Sequence, residues 1–264
     1  MSRNFYFITP CGGTRSEAQL TVDSVIGLAA QRPELPIVHL LVFNNGLQVD
    51  VDVTAAPGNY AAELLDLGAV GSRAAARNTA LDQLDGRPAG LVCFLDAGDR
   101  VLDSPAIDLT FADWPNDHDR RLWAFSAVVV GNDIEAVRRP RQLWLRRINN
   151  PFLIGATYTT SALATTNRFS EGAKEDWKYW LELLDRADHV SLHDEIAYEY
   201  QVISTTDHLR RKKGLLRQQY RFFSDYLGYG HGIRTWSSMV AHLLIAGTAW
   251  LRRSTRLQPW RRDP

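Results

Sequence analysis

Two cysteines among 264 residues, Cys11 and Cys93, are too few for a metal quartet or a disulfide framework. Both read as small apolar or loop residues. No stretch approaches about 18 consecutive apolar residues, so no transmembrane helix is expected. Met1-Ser2-Arg3-Asn4 leads into Phe5-Tyr6-Phe7-Ile8-Thr9 without the apolar core of a signal peptide, and action in the cytoplasm is the resulting expectation. Gly-x-Gly-x-x-Gly follows none of the strand-like runs, which leaves a dinucleotide-dependent oxidoreductase without support. Internal repeats and low-complexity linkers are also missing. What remains, at 45% hydrophobic residues, is a globular chain able to bury one large core.

Net charge is zero as well, but its distribution is uneven. Residues 201–264 carry twelve Lys/Arg against three acids, a surplus of nine, so residues 1–200 carry the matching acidic excess. A basic tail on an acidic body suggests an anionic partner for the tail. Nucleic acid has no recognition motif in its favour. Residues 239–251 are apolar, too short to span a bilayer, and flanked by Trp236, Arg252, Arg253, Trp260, Arg261 and Arg262. They fit an interfacial helix at the inner face of a membrane, or a terminal helix packed on the body with solvated arginines.

Along the chain, strands and helices alternate. Residues 4–9 form an aromatic, β-branched strand, 16–30 a helix, 37–43 a second buried strand ending in Asn44-Asn45-Gly46, and 60–67 and 72–84 helices. The apolar run 90–95 forms the next strand. Residues 122–130 and 141–146 read as later strands, and 174–184 as an amphipathic helix. This β-α-β-α-β order predicts an α/β fold with a mostly parallel central sheet.

The strand at 90–95 ends in Asp96-Ala97-Gly98-Asp99. Carboxylates at that edge are where α/β sheets bind ligands, and two acids side by side are costly unless a divalent cation or sugar hydroxyls lie between them. An Asp-Ala-Gly-Asp turn in solvent explains the same residues equally well. Glu175-Asp176 opens a helix, where negative charge is favoured for structural reasons alone. Arg73 and Arg77, after Gly71-Ser72, can meet phosphate oxygens or form a solvated face. Trp177 and Trp180 suit sugar rings or a core stripe, and His193 and His208 read as surface or satisfied residues.

Taken in order, the strand to Thr9-Pro10, the strand to Asn44-Asn45-Gly46, Ala76-Arg77-Asn78, Phe94-Leu95-Asp96-Ala97-Gly98-Asp99, and Phe169 with Glu175-Asp176-Trp177 resemble family 2 glycosyltransferases of the GT-A fold. The resemblance spans roughly residues 4–205, which sets expected domains at 1–205 (GT-A) and 206–264 (a basic helical extension). It implies transfer of a sugar from a nucleotide-diphosphate donor to a hydroxyl on a glycan, a lipid-linked sugar or a protein. It places Thr9, Pro10, Asn44, Arg77 and Asp96 around the donor and Mn²⁺ or Mg²⁺ at Asp96 and Asp99. Asp176, with Glu175 beside it, is implied as the catalytic base of an inverting reaction.

Two departures stand out. Gly98 occupies the place of the second carboxylate of the Asp-x-Asp pattern, and Asn44 stands where many relatives have an Asp against the base. Two alternatives belong to other classes. Gly12-Gly13-Thr14-Arg15 echoes the nucleotide loop of a sugar-phosphate nucleotidylyltransferase, and the loss of the second Asp suits a non-catalytic binding module.

Overall fold

The structure, a computed structural model, describes residues 3–44, 50–68, 71–131, 134–140, 143, 150, 152–172, 174–201, 220, 222, 224, 233, 236–241 and 244. The chain forms two compact units. The first comprises Met1–Val128, Val137–Pro140 and Phe152–Gln201, and the second Val129–Ala136, Arg141–Pro151 and Val202–Pro264.

The strands are β1 (Asn4–Cys11), β2 (Ile37–Phe43), β3 (Tyr60–Asp66), β4 (Gly90–Phe94), β5 (Arg100–Val101), β6 (Arg121–Gly131), β7 (Ile134–Arg138), β8 (Thr157–Thr160) and β9 (His189–Gln201). The helices are α1 (Arg15–Gln31), α2 (Arg73–Asp82), α3 (Pro105–Ala112), α4 (Ser161–Ala164) and α5 (Glu175–Leu184). Sheet order is β3-β2-β1-β4-β8-β6-β9-β5, with β7 beside β6. The first four run parallel, whereas β4–β8, β6–β8 and β5–β9 are antiparallel. The α/β class expected from the sequence is therefore observed, parallel from β3 to β4 and antiparallel in the later strands.

β1 is central because both of its faces are apolar. Its register sets Phe5 against Ile37 and Leu91, and Ile8 against Leu40 and Phe94. Each fully buried aromatic of this kind contributes about 1.5–3 kcal/mol. One face packs Phe5 edge-on to Tyr158 at 5.2 Å. Beyond β4, Phe94 meets Phe169, Tyr179 and Trp180 at 5.0, 5.5 and 6.1 Å.

One predicted element changes type. Residues 60–67, read as a helix, form β3. Ala, Leu and Glu favour helix locally, but pairing with β2 from Ile37–Tyr60 to Phe43–Asp66 overrides that preference. As a sheet edge, β3 exposes Leu64, which accounts for the lack of clean alternation.

In the second unit, 236–241 are helical, Met239 is buried, and the rings of Tyr220 and Trp236 lie 5.4 Å apart. Most of the expected extension at 206–264, His208, and all of 141–146 except Leu143 lie outside the described residues.

Candidate active site

The acidic turn after β4 is held from below by α1. Thr14 caps that helix with Glu17: the Glu17 backbone N–H donates to Thr14 Oγ1 at 3.3 Å, and the Thr14 N–H donates to Glu17 Oε2 at 2.7 Å. Gly12-Gly13-Thr14-Arg15, noted above as a nucleotide-loop echo, thus leads into a capping box. One turn on, the Thr21 hydroxyl donates to the Asp99 carbonyl at 2.8 Å and accepts from the Gly98 N–H at 2.9 Å. The Gly98 N–H is shared with the Glu17 carbonyl at 3.0 Å. Gly98 has φ +98°, a conformation that penalises any side chain. This gives the departure at position 98 a physical basis, since a second carboxylate would strain the turn.

Asp96 emerges toward α2. Its Oδ1 accepts from Arg77 at 2.5 Å and its Oδ2 from Arg73 at 3.3 Å. The same two guanidiniums reach Glu175 Oε1, Arg77 at 3.5 Å and Arg73 at 3.7 Å. Arg77 is 1% exposed and Arg73 is 56% exposed, so one is a structural centre and the other faces solvent. Burial pushes the Asp96 pKa up, but the two arginines outweigh it and hold it below the usual carboxylate range. Arg73 is raised in turn by Asp96, with Glu175 and Asp176 adding to the effect.

Asn78 explains why two distant motifs meet. Its side-chain amide donates to the Phe169 carbonyl at 2.9 Å and accepts from the Phe169 N–H at 2.7 Å. Phe169 then lies under the Arg77 guanidinium at 5.0 Å and stacks on Tyr179 at 3.9 Å. This clamp sets the approach to α5, entered through Lys174 at φ +63°, a left-handed turn costing about 1–2 kcal/mol for a side-chain-bearing residue. Glu175 and Asp176 occupy the first turn of α5, half-buried. Trp177 and Trp180 are buried, so they belong to the core. His193 stacks on Phe125 at 5.1 Å, with Nδ1 3.8 Å from Glu195.

Asp99 points away from Asp96 into protein. It is 3% exposed; one oxygen accepts from the Tyr198 hydroxyl and the other from the Gln201 N–H at 2.9 Å. Burial, with Asp96 adding to it, pushes its pKa up to about 7 against the opposing pull of Tyr198 and Gln201. A divalent cation needs hard oxygen donors that are open to it. Here the Asp96 oxygens face two guanidiniums, those of Asp99 are used by Tyr198 and Gln201, and Gly98 supplies no side-chain oxygen. No group of three His, Cys, Asp or Glu suited to a metal gathers among the described residues. The donor set expected for Mn²⁺ or Mg²⁺ at Asp96 and Asp99 therefore does not fit a resident ion as it is arranged.

The remaining donor-side expectations divide. Asn44 is buried; its Nδ2 donates to the Gly71 carbonyl at 3.1 Å, while Oδ1 meets no hydrogen-bond partner among the described residues. A Cβ on Gly12 would lie 2.6 Å from that oxygen, so a side chain there would displace the Asn44 amide. Thr9 and Pro10 are buried within β1, and the Thr9 hydroxyl is 2.8 Å from His39 Nε2 rather than facing a ligand. Cys11 and Cys93 are buried thiols whose pKa burial raises, Cys11 to about 12, which fits inert packing. Sequence reading missed Thr21, Tyr198, Tyr200 and Arg138. Burial raises the pKa of Tyr200, with Asp99 and Asp96 adding to the shift and Arg73 and Arg138 opposing it.

No protein-family model matches the chain, and no curated protein matches it by sequence. Solved structures do. The structure of S. aureus TarS 1–349 superposes with a TM-score of 0.56 at 16% identity, over 75% of this chain and 60% of that one. The same fragment in complex with UDP gives 0.55 at 17% identity, and in complex with UDP-GlcNAc 0.56 at 17%. Against the longer TarS structure the match takes in 37% of that chain. The likeness is one of fold: the mixed α/β sheet with flanking helices described above is the GT-A architecture that the order of motifs implied.

Proposed function

We infer that this chain transfers a glycosyl group from a nucleotide-diphosphate sugar to an acceptor hydroxyl, with inversion at the anomeric carbon. The observation that carries the reading is the network centred on buried Arg77. It joins Asp96, at the sheet edge where α/β proteins bind ligands, to Glu175 at the start of α5. Further support comes from the fold shared with TarS, solved in complex with UDP and UDP-GlcNAc, which puts uridine donors first in any panel.

In this reading Asp176 is the general base. The acceptor O–H proton passes to its carboxylate as the acceptor oxygen bonds the anomeric carbon. The bond from that carbon to the diphosphate oxygen breaks, and its electron pair departs with the nucleoside diphosphate. Glu175 fixes both arginines and so positions its neighbour. Arg73, the solvent-facing cation, meets diphosphate oxygens and stabilises the charge that develops on them. Asn44 Oδ1 accepts an N–H from the base. Because the carboxylates do not fit a resident cation, no step is assigned to one.

The test is a panel of nucleotide sugars and hydroxyl acceptors, with release of nucleoside diphosphate as the readout. Acceptor-dependent release from at least one donor is expected. Formation of pyrophosphate from a nucleoside triphosphate and a sugar phosphate would favour the nucleotidylyltransferase instead, and binding without turnover across the panel would favour the non-catalytic module.

A further inference from the structure

The second unit presents an apolar stripe to solvent. Ile233, Trp236, Val240 and Leu244 are 89%, 56%, 51% and 63% exposed, and residues 233, 236–241 and 244 are helical. Steps of three and four residues keep all four within about 80° of one another around a helix. Met239 lies off that stripe and is buried. The helix thus carries large apolar side chains on the side that meets water in addition to the buried Met239.

Charge in the same part of the chain identifies the occupant. Residues 201–264 hold twelve Lys/Arg against three acids. A second copy would bring two such surpluses together, which like-charge repulsion disfavours. An anionic bilayer satisfies both features: its surface attracts the basic residues, and its acyl boundary accepts the stripe. Trp236, packed 5.4 Å from Tyr220, brings two rings of the kind that settle at a membrane–water boundary. No helix among the described residues is long and apolar enough to cross a membrane.

We propose that the second unit docks the protein reversibly on an anionic lipid surface through Ile233, Trp236, Val240 and Leu244. The inference does not depend on the reading of the acidic edge. It is tested by co-sedimentation of the full chain with vesicles of phosphatidylcholine alone and of equal parts phosphatidylcholine and phosphatidylglycerol. Salt-sensitive binding to the anionic vesicles only is expected. Trp236→Ser/Val240→Ser/Leu244→Ser should weaken it about tenfold or more. Ile233→Glu, at the most exposed position, provides a second variant whose fold is checked by circular dichroism. No binding to anionic vesicles, binding by both variants as strong as that of wild type, or a solution dimer that Ile233→Glu dissociates would each overturn the proposal, the last by making a second copy the occupant.

Discussion

Arg73 and Arg77 lie one helical turn apart and face the same two carboxylates, yet burial gives them different roles. Replacing Arg77 by Met leaves Asp96 and Glu175 without their buried partner, a change expected to cost about 3–5 kcal/mol and to lower the melting temperature clearly. Arg73→Ala removes exposed pairs worth about 0–1 kcal/mol, so its melting curve should stay close to wild type while the KM for donor rises. Thermal melts beside steady-state kinetics separate the two. Asp99 carries a third expectation. With both its oxygens engaged by Tyr198 and Gln201, transfer should persist in excess chelator. Loss of activity restored by Mn²⁺ would show that Asp99 releases these partners for a cation.

Local elements owe their placement to a few polar contacts. Thr21→Val keeps the shape of α1 but removes the hydroxyl that bridges Gly98 and Asp99, and should cost about 1–3 kcal/mol in denaturant unfolding. The sequence made much of this scaffold legible. β1, β2 and α2 fall where periodicity and caps put them, whereas Arg77, which the sequence offers as a phosphate contact or a solvated residue, is buried between Asp96 and Glu175. β3 was not legible, because a sheet edge built from Ala, Leu and Glu carries a helical local signal and owes its strand form to β2. Tyr198 and Gln201 escaped for a similar reason. They reach Asp99 from β9, about a hundred residues along the chain, and no local pattern marks that pairing. Thr21 reads as one more helix residue until the turn it supports is placed beside it.

Across the whole molecule, stability should carry the signature of a buried imidazole. His39 is enclosed between the hydroxyls of Thr9 and Tyr60, and burial pushes its pKa down from 6.5 to about 3. The unfolded chain binds the proton more readily between those values, so His39 contributes fully above pH 6.5 and progressively less as pH falls toward 3. The stability gap between wild type and His39→Gln, read from urea unfolding, should widen with pH over that window and then level off. A gap independent of pH would show that His39 is charged in the fold. The central claim is that the acidic edge and the start of α5 form one glycosyl-transfer site with Asp176 as its base. Its most direct test is turnover of wild type and Asp176→Asn with the best donor–acceptor pair from the panel, together with donor binding and product stereochemistry. The account predicts an inverted product, unchanged donor affinity and a fall in kcat of about a hundredfold or more in the variant. Turnover by Asp176→Asn near that of wild type, or a product that retains the donor's anomeric configuration, would contradict it.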